Sequence, residues 1–197
     1  MQGSLEYWFP TPIYYGNINN SVIQDKFLKT YNGFLTNNVF KNPSGWNSQL
    51  ISDPSFNTNF IQEQGITEFV DELDQHIQAY LNSFGSPARN TPYKIISSWM
   101  TLTKQGGYSH THVHGDSDIS GVYYVKTNEK DGSIFFDTPN KVSRNSFAYR
   151  TFQQRVSYPP SVGKLLLFPG WLEHGIETNT TDHDRVSVSF NIVFDRN

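Results

Sequence analysis

Residues 185–192 alternate without a break: Arg185, Ser187, Ser189 and Asn191 fall on one face of a strand, Val186, Val188, Phe190 and Ile192 on the other. Such a run demands a sheet with one apolar face against a core. Its other face is polar, headed by an arginine, and needs water or an anion inside. Five more β-type runs precede it after Pro92: Tyr93–Leu102, Ser120–Lys126, Gly132–Asp137, Tyr149–Val156 and Gly163–Phe168. Short strands at this density predict a sandwich, jelly roll or barrel.

The first half of the chain reads differently. Between Ser21, a suitable N-cap, and Leu35, apolar residues recur near helical spacing (Val22, Ile23, Phe27, Tyr31, Phe34, Leu35). From Ile66 to Phe84 a second stripe forms (Ile66, Phe69, Val70, Leu73, Ile77, Tyr80, Leu81, Phe84), with Gly85 at the stop and Pro87 beyond. Between them 37–59, rich in Asn, Ser, Pro and Gly, reads as irregular surface. With no linker or repeat, the expectation is one domain over 1–197: a helical flank with N-terminal strands in 1–92 and a β core in 93–197.

Composition narrows the function. At 197 residues and 15% aromatics there is ample bulk for a core, which excludes disorder. A net charge of −3 with no basic run argues against a nucleic-acid partner. The absence of cysteine removes thiolate catalysis, iron–sulfur clusters and Cys-based zinc sites. Residues 1–7 lack the basic and apolar segments of a signal peptide, and no apolar run approaches a membrane span. A soluble cytoplasmic protein is the expectation, with a homodimer left open.

Three of the six histidines crowd one stretch, Ser109-His110-Thr111-His112-Val113-His114-Gly115-Asp116. If this is a strand, His110, His112, His114 and Asp116 share a face. That is costly as packing and natural as a ligand set for a first-row metal. His76 beside the second helical stripe reads as structural, and His183 as a polar turn residue. A site needs a ligand from elsewhere, and His174, just past the buried-type run 163–168 and a Pro-Gly turn, supplies the candidate. Arg185 can clamp a carboxylate through two nitrogens or serve a structural ion pair. Three histidines and an open position also suit zinc hydrolysis.

Together these pieces resemble the 2-oxoglutarate/iron(II) oxygenase superfamily, in its prolyl-hydroxylase-like branch, and a group of oxygenases of similar length. The resemblance spans Ser97 to Phe194. It rests on Gly106-Gly107-Tyr108 running into His112-Val113-His114, then Ser120-Gly121-Val122-Tyr123-Tyr124-Val125. It continues through Gly163-Lys164-Leu165-Leu166-Leu167-Phe168-Pro169, Trp171 with His174, and Arg185-Val186-Ser187-Val188-Ser189-Phe190-Asn191. Each piece is common alone; their order along the chain carries the likeness.

The resemblance implies a mainly β fold, a double-stranded β-helix (jelly roll) with α-helices outside, holding Fe(II) and 2-oxoglutarate. It puts His112 and His174 at the two family histidine positions, and Arg185, Ser187 and Tyr124 on the distal carboxylate of 2-oxoglutarate. The family's usual His-x-Asp has two possible registers here, His112/His114 or His114/Asp116. The glycine lead-in favours metal ligation by His112, His114 and His174. The implied activity is a dioxygenase that converts 2-oxoglutarate and O2 to succinate and carbon dioxide while hydroxylating a C–H bond. A prolyl or other peptide residue is the favoured substrate, with a small molecule open. Loops 37–59 and 140–146 are candidate covers for the mouth; Trp46, Trp99, Phe135 and Trp171 are candidate wall residues or core. Two other readings stand beside this one: a cupin-like three-histidine metalloenzyme (zinc hydrolase or cofactor-free dioxygenase), and a non-catalytic jelly-roll binding module.

Overall fold

The alternation of 185–192 places its strand at the centre of a sheet, where both edges find partners. In the computed structural model, which describes residues 10–42, 51–52, 59–142, 145, 147–149 and 153–195 (51, 52 and 149 by backbone alone), the elements in chain order are β1 (Tyr14–Asn17), α1 (Ser21–Thr36), β2 (Ile51–Ser52), α2 (Phe60–Glu63), α3 (Thr67–Ser83), β3 (Tyr93–Thr103), β4 (Ser109–His112), β5 (Ile119–Lys126), β6 (Ile134–Asp137), a 3-10 turn at Phe147–Tyr149, β7 (Arg155–Tyr158), β8 (Lys164–Pro169), β9 (His174–Ile176) and β10 (Arg185–Phe194). They make a six-stranded antiparallel sheet, β1-β8-β5-β10-β3-β2, and a four-stranded one, β4-β9-β6-β7. The fold is a mainly β jelly roll with helices packed outside: the strand pattern leaves sandwich, jelly roll and barrel open, and the resemblance implies the jelly roll.

The apolar face of β10 meets the helices. Val186, Val188, Phe190 and Ile192 are fully buried with Ile23, Phe27 and Tyr31 of α1 and Phe69, Leu73 and Ile77 of α3. Burial of this apolar area, at about 25 cal/mol per Å², is the main force fixing the helices on the larger sheet. A smaller cluster, Val122, Tyr124, Ile134, Phe136, Leu166, Phe168 and Leu172, fills the space between the sheets. The close approach at Gly121 permits the packing on the helix side of the sheet: a Cβ there would stand 2.3 Å from Cζ of Phe190.

Several boundaries move. Asn20, one residue before Ser21, caps α1 by accepting from the amides of Val22 and Ile23. Gly85, at φ +68°, follows α3, as its position after the stripe suggests. The run 149–156 is not one strand: a 3-10 turn occupies its start, and β7 lies later, where Tyr158 pairs with Ile134. Cross-sheet register decides this boundary, and local propensity does not carry it. Strands β1, β4 and β9 are too short to register as periodic runs. Among the described residues, no helix is long and apolar enough to cross a membrane.

Candidate metal centre

β4 and β9 are paired so that His112 lies opposite His174. The next residue along the smaller sheet is Phe136 of β6, opposite His174. His114 lies beyond the end of β4, in a loop held by its amide donating to the Gly170 carbonyl at 2.8 Å. Three imidazoles converge there. Donor atoms of His112, His114 and His174 all lie within 4.8 Å of one another, and ring centroids are 4.4–5.1 Å apart.

Two of these rings are oriented by carbonyls. Nδ1 of His112 bonds the His110 carbonyl and Nδ1 of His174 the Leu172 carbonyl, each at 2.8 Å. Protonating Nδ1 in this way leaves Nε2 as the free lone pair, the arrangement found around ligating histidines. The rings also favour neutrality. Burial, reinforced by neighbouring His112, holds His174 down at about 3 and His114 at about 4; burial lowers His112 as well, although its edge opens to solvent. Neutral imidazoles are what a first-row divalent metal requires.

The four-residue face expected from strand geometry is not formed. β4 ends at His112 and its pairing with β9 shifts register between Ser109 and His112, so His110 leaves the cluster and packs edge-on against Tyr108 at 5.1 Å. Asp116, exposed, belongs to no ligand group among the described residues. His76 bonds Tyr14 Oη through Nδ1 at 2.7 Å, and His183 pairs with buried Asp131 at 3.2 Å.

A small cavity of about 50 Å³ opens beside the histidines, lined by Trp99, Thr101, Tyr124, Ser187, Phe168 and Ser189 among others. Thr101, Ser187 and Tyr124 face one another across β3, β10 and β5. Among the described residues, none of their hydroxyls bonds another protein group. Thr101 was not recognisable in the sequence, although it sits two residues from Trp99 on the same face. Burial pushes the Tyr124 phenol up to about 12 against the pull of Arg185.

Arg185 lies two residues before Ser187, at the start of β10 and opposite Thr103, and does not line this cavity. Its guanidinium stands over the Tyr124 ring, 6.0 Å from the ring centroid. It is fully buried and donates to the Gly132 carbonyl and, at 3.0 Å, to Thr103 Oγ1. No acid lies within ion-pair distance among the described residues, and Nε is buried without a partner. Asp131, the nearest acid, is taken by Thr127, the Asn128 amide and His183. A buried cation with an open donor is costly unless an anion completes it. The donor set therefore fits a divalent metal, and the orphaned nitrogen fits a carboxylate. Of the aromatic candidates, Trp99 lines the cavity, Phe135 faces Arg155 at 3.7 Å on the outer side, and Trp171 is 54% exposed. Trp46 and most of 37–59 and 140–146 lie outside the described residues.

No curated protein sequence matches this chain. Residues 97–191 match the family model described as "Putative 2OG-Fe(II) oxygenase". Among solved structures, a prolyl hydroxylase from Trichoplax adhaerens, in complex with a hypoxia-inducible-factor peptide fragment, superposes with a TM-score of 0.66 at 14% identity, over 94% of this chain and 84% of that one. A Pseudomonas putida prolyl-4-hydroxylase gives 0.64 at 12% identity, over 94% of each chain. HygX from Streptomyces hygroscopicus, with nickel and 2-oxoglutarate bound, gives 0.61 at 14% identity, over 92% of this chain and 82% of that one. At such identities the superpositions speak for the fold, and the family match speaks for lineage. Over residues 97–191, just under half of its length, this chain is similar to the 2-oxoglutarate/iron(II) oxygenases that the family model describes.

Proposed function

We propose that this oxygenase is a hydroxylase whose iron is held by His112, His114 and His174, and whose 2-oxoglutarate is anchored through Arg185, Ser187 and Tyr124. The observation that carries the reading is the convergence of three neutral imidazoles beside an aligned row of hydroxyls, with a buried, incompletely paired arginine over the Tyr124 ring. Iron(II) with 2-oxoglutarate supplies the oxidising power for C–H hydroxylation, with succinate and carbon dioxide as by-products. The chain supplies placement. Carbonyls of His110 and Leu172 fix two ligand rings; the hydroxyls of Tyr124, Ser187 and Thr101 meet an incoming carboxylate; Arg185 offsets its charge; Trp99 and Phe168 keep the cavity apolar and dry. A prolyl or other peptide side chain is the substrate class we favour, by analogy with the two prolyl hydroxylases of like fold. The helical flank and the jelly roll are proposed to work as a single domain, since α1 and α3 complete the core behind β10.

Titrating 2-oxoglutarate into the anaerobic iron(II) protein tests this. A charge-transfer band near about 500–530 nm is expected from the chelate. In Arg185→Ala the half-saturating concentration should rise at least about 30-fold, the lower end of what removing a buried charge partner costs. No band in the parent protein, with iron bound, would instead favour a three-histidine metalloenzyme without cosubstrate. A succinate-release screen over peptides and metabolites then identifies the substrate.

A further inference from the structure

The three candidate ligands are not held alike. His112 and His174 are oriented through their ring nitrogens, whereas among the described residues the His114 ring accepts and donates no hydrogen bond. It packs against Trp99 at 5.8 Å, and β4 has already ended two residues before it. The sheet ladder therefore does not place His114; its amide donates to the Gly170 carbonyl at 2.8 Å and its carbonyl accepts from the Ser117 amide at 3.1 Å, which leaves the position of Ser117 itself to be fixed.

A chain of side chains does this. Asn191 of β10, opposite both Ser97 of β3 and Ser120 of β5, bridges the two: one end of its amide lies 3.0 Å from Ser97 Oγ and the other 2.8 Å from Ser120 Oγ. Ser120 Oγ lies 3.0 Å from Ser117 Oγ, and Ser117 donates to the His114 carbonyl at 3.0 Å, so Ser120 donates to Ser117 and accepts from Nδ2 of Asn191, whose Oδ1 in turn accepts from Ser97. The far side of the loop is closed by Gly170: a Cβ there would stand 2.2 Å from Ser117 Oγ and 2.7 Å from the His114 carbonyl oxygen. Asn191 is 9% exposed and Ser120 1% exposed, so water competes little for these bonds. Ser120 also lines the cavity beside the histidines.

We infer that Asn191, acting through Ser120 and Ser117, is a positioning residue for His114. Resting on the assignment of His114 as a ligand, this makes the Asn191–Ser120–Ser117 relay the substitute for the ring hydrogen bond that His112 and His174 possess. Loss of any link frees the 113–117 loop on the relay's side without touching the other two ligands.

Cobalt(II) titration of the chelator-stripped protein, followed by visible absorption, tests the inference without turnover. Asn191→Ala and Ser117→Ala should each weaken cobalt binding about 10- to 100-fold, the usual range for residues that orient ligands. Each spectrum should move toward that of His114→Ala. The double variant should be no weaker than the weaker single one, because the links act in series. In a His114→Ala background, Asn191→Ala should change nothing further. Unchanged affinity in Asn191→Ala, multiplying losses in the double variant, or an equal loss in the His114→Ala background would each overturn the relay. If His114→Ala itself binds cobalt as the parent does, the ligand assignment fails and the relay with it. Should Asn191→Ala not fold, Ser117→Ala, in the half-buried loop, carries the same comparisons.

Discussion

His174→Asn tests the electrostatics of the cluster directly, in the metal-free protein. His174 is 4% exposed, and burial together with His112 holds its folded-state pKa at about 3. In the unfolded chain an ordinary imidazole titrates near about 6.5. Between these values the unfolded state binds the extra proton, so stability is fully present above about 6.5 and is lost as pH falls toward 3. Within that window the slope is about 1.4 kcal/mol per pH unit. At pH 5 the loss from this residue alone amounts to about 2 kcal/mol relative to pH 7. Asparagine cannot titrate, so its packing cost is the same at both pH values. Urea unfolding of chelator-treated protein at pH 7 and pH 5, read by tryptophan fluorescence, should show the parent losing about 2 kcal/mol more than the variant. Equal losses would mean that His174 is solvated, and the picture of a dry cluster of neutral imidazoles would be wrong.

Other perturbations follow from the same geometry. Asp116→Ala should leave cobalt affinity within about twofold, whereas His112→Ala should lower it by 100-fold or more (about 2.7 kcal/mol); a metal titration of both decides the ligand register. Gly121→Ala forces a methyl to within 2.3 Å of the buried Phe190 ring and should cost about 1–3 kcal/mol in denaturant unfolding. Asn20→Ala removes the α1 cap and a 2.6 Å bond to Glu72, lowering stability by about 1–2 kcal/mol in the same assay.

The long, strongly patterned segments could be read before any coordinates. Helices α1 and α3 and strands β3, β5, β8 and β10 fall within a residue or two of the runs that signal them, because burial of one face imposes a period on the sequence. The elements that build the site are different. β4 and β9 have four and three residues, too few for a period to emerge, and they exist because His112 and His174 pair across a narrow sheet. The expectation that His110 shares the ligand face failed for a related reason: alternation holds only while a strand stays regular, and this one shifts register and stops.

By itself the sequence determined a mainly β class with helices outside, the histidine-rich stretch and the arginine on the polar face of the last strand. Those follow from side-chain chemistry and from the two-residue repeat, which are local. The tertiary structure decided which histidines meet, that Asp116 stays outside, that Arg185 packs over Tyr124, and that Asn191 reaches His114 through two serines. Each of these depends on the register between strands far apart in the chain, and a shift of one residue would turn every one of those side chains to the opposite face.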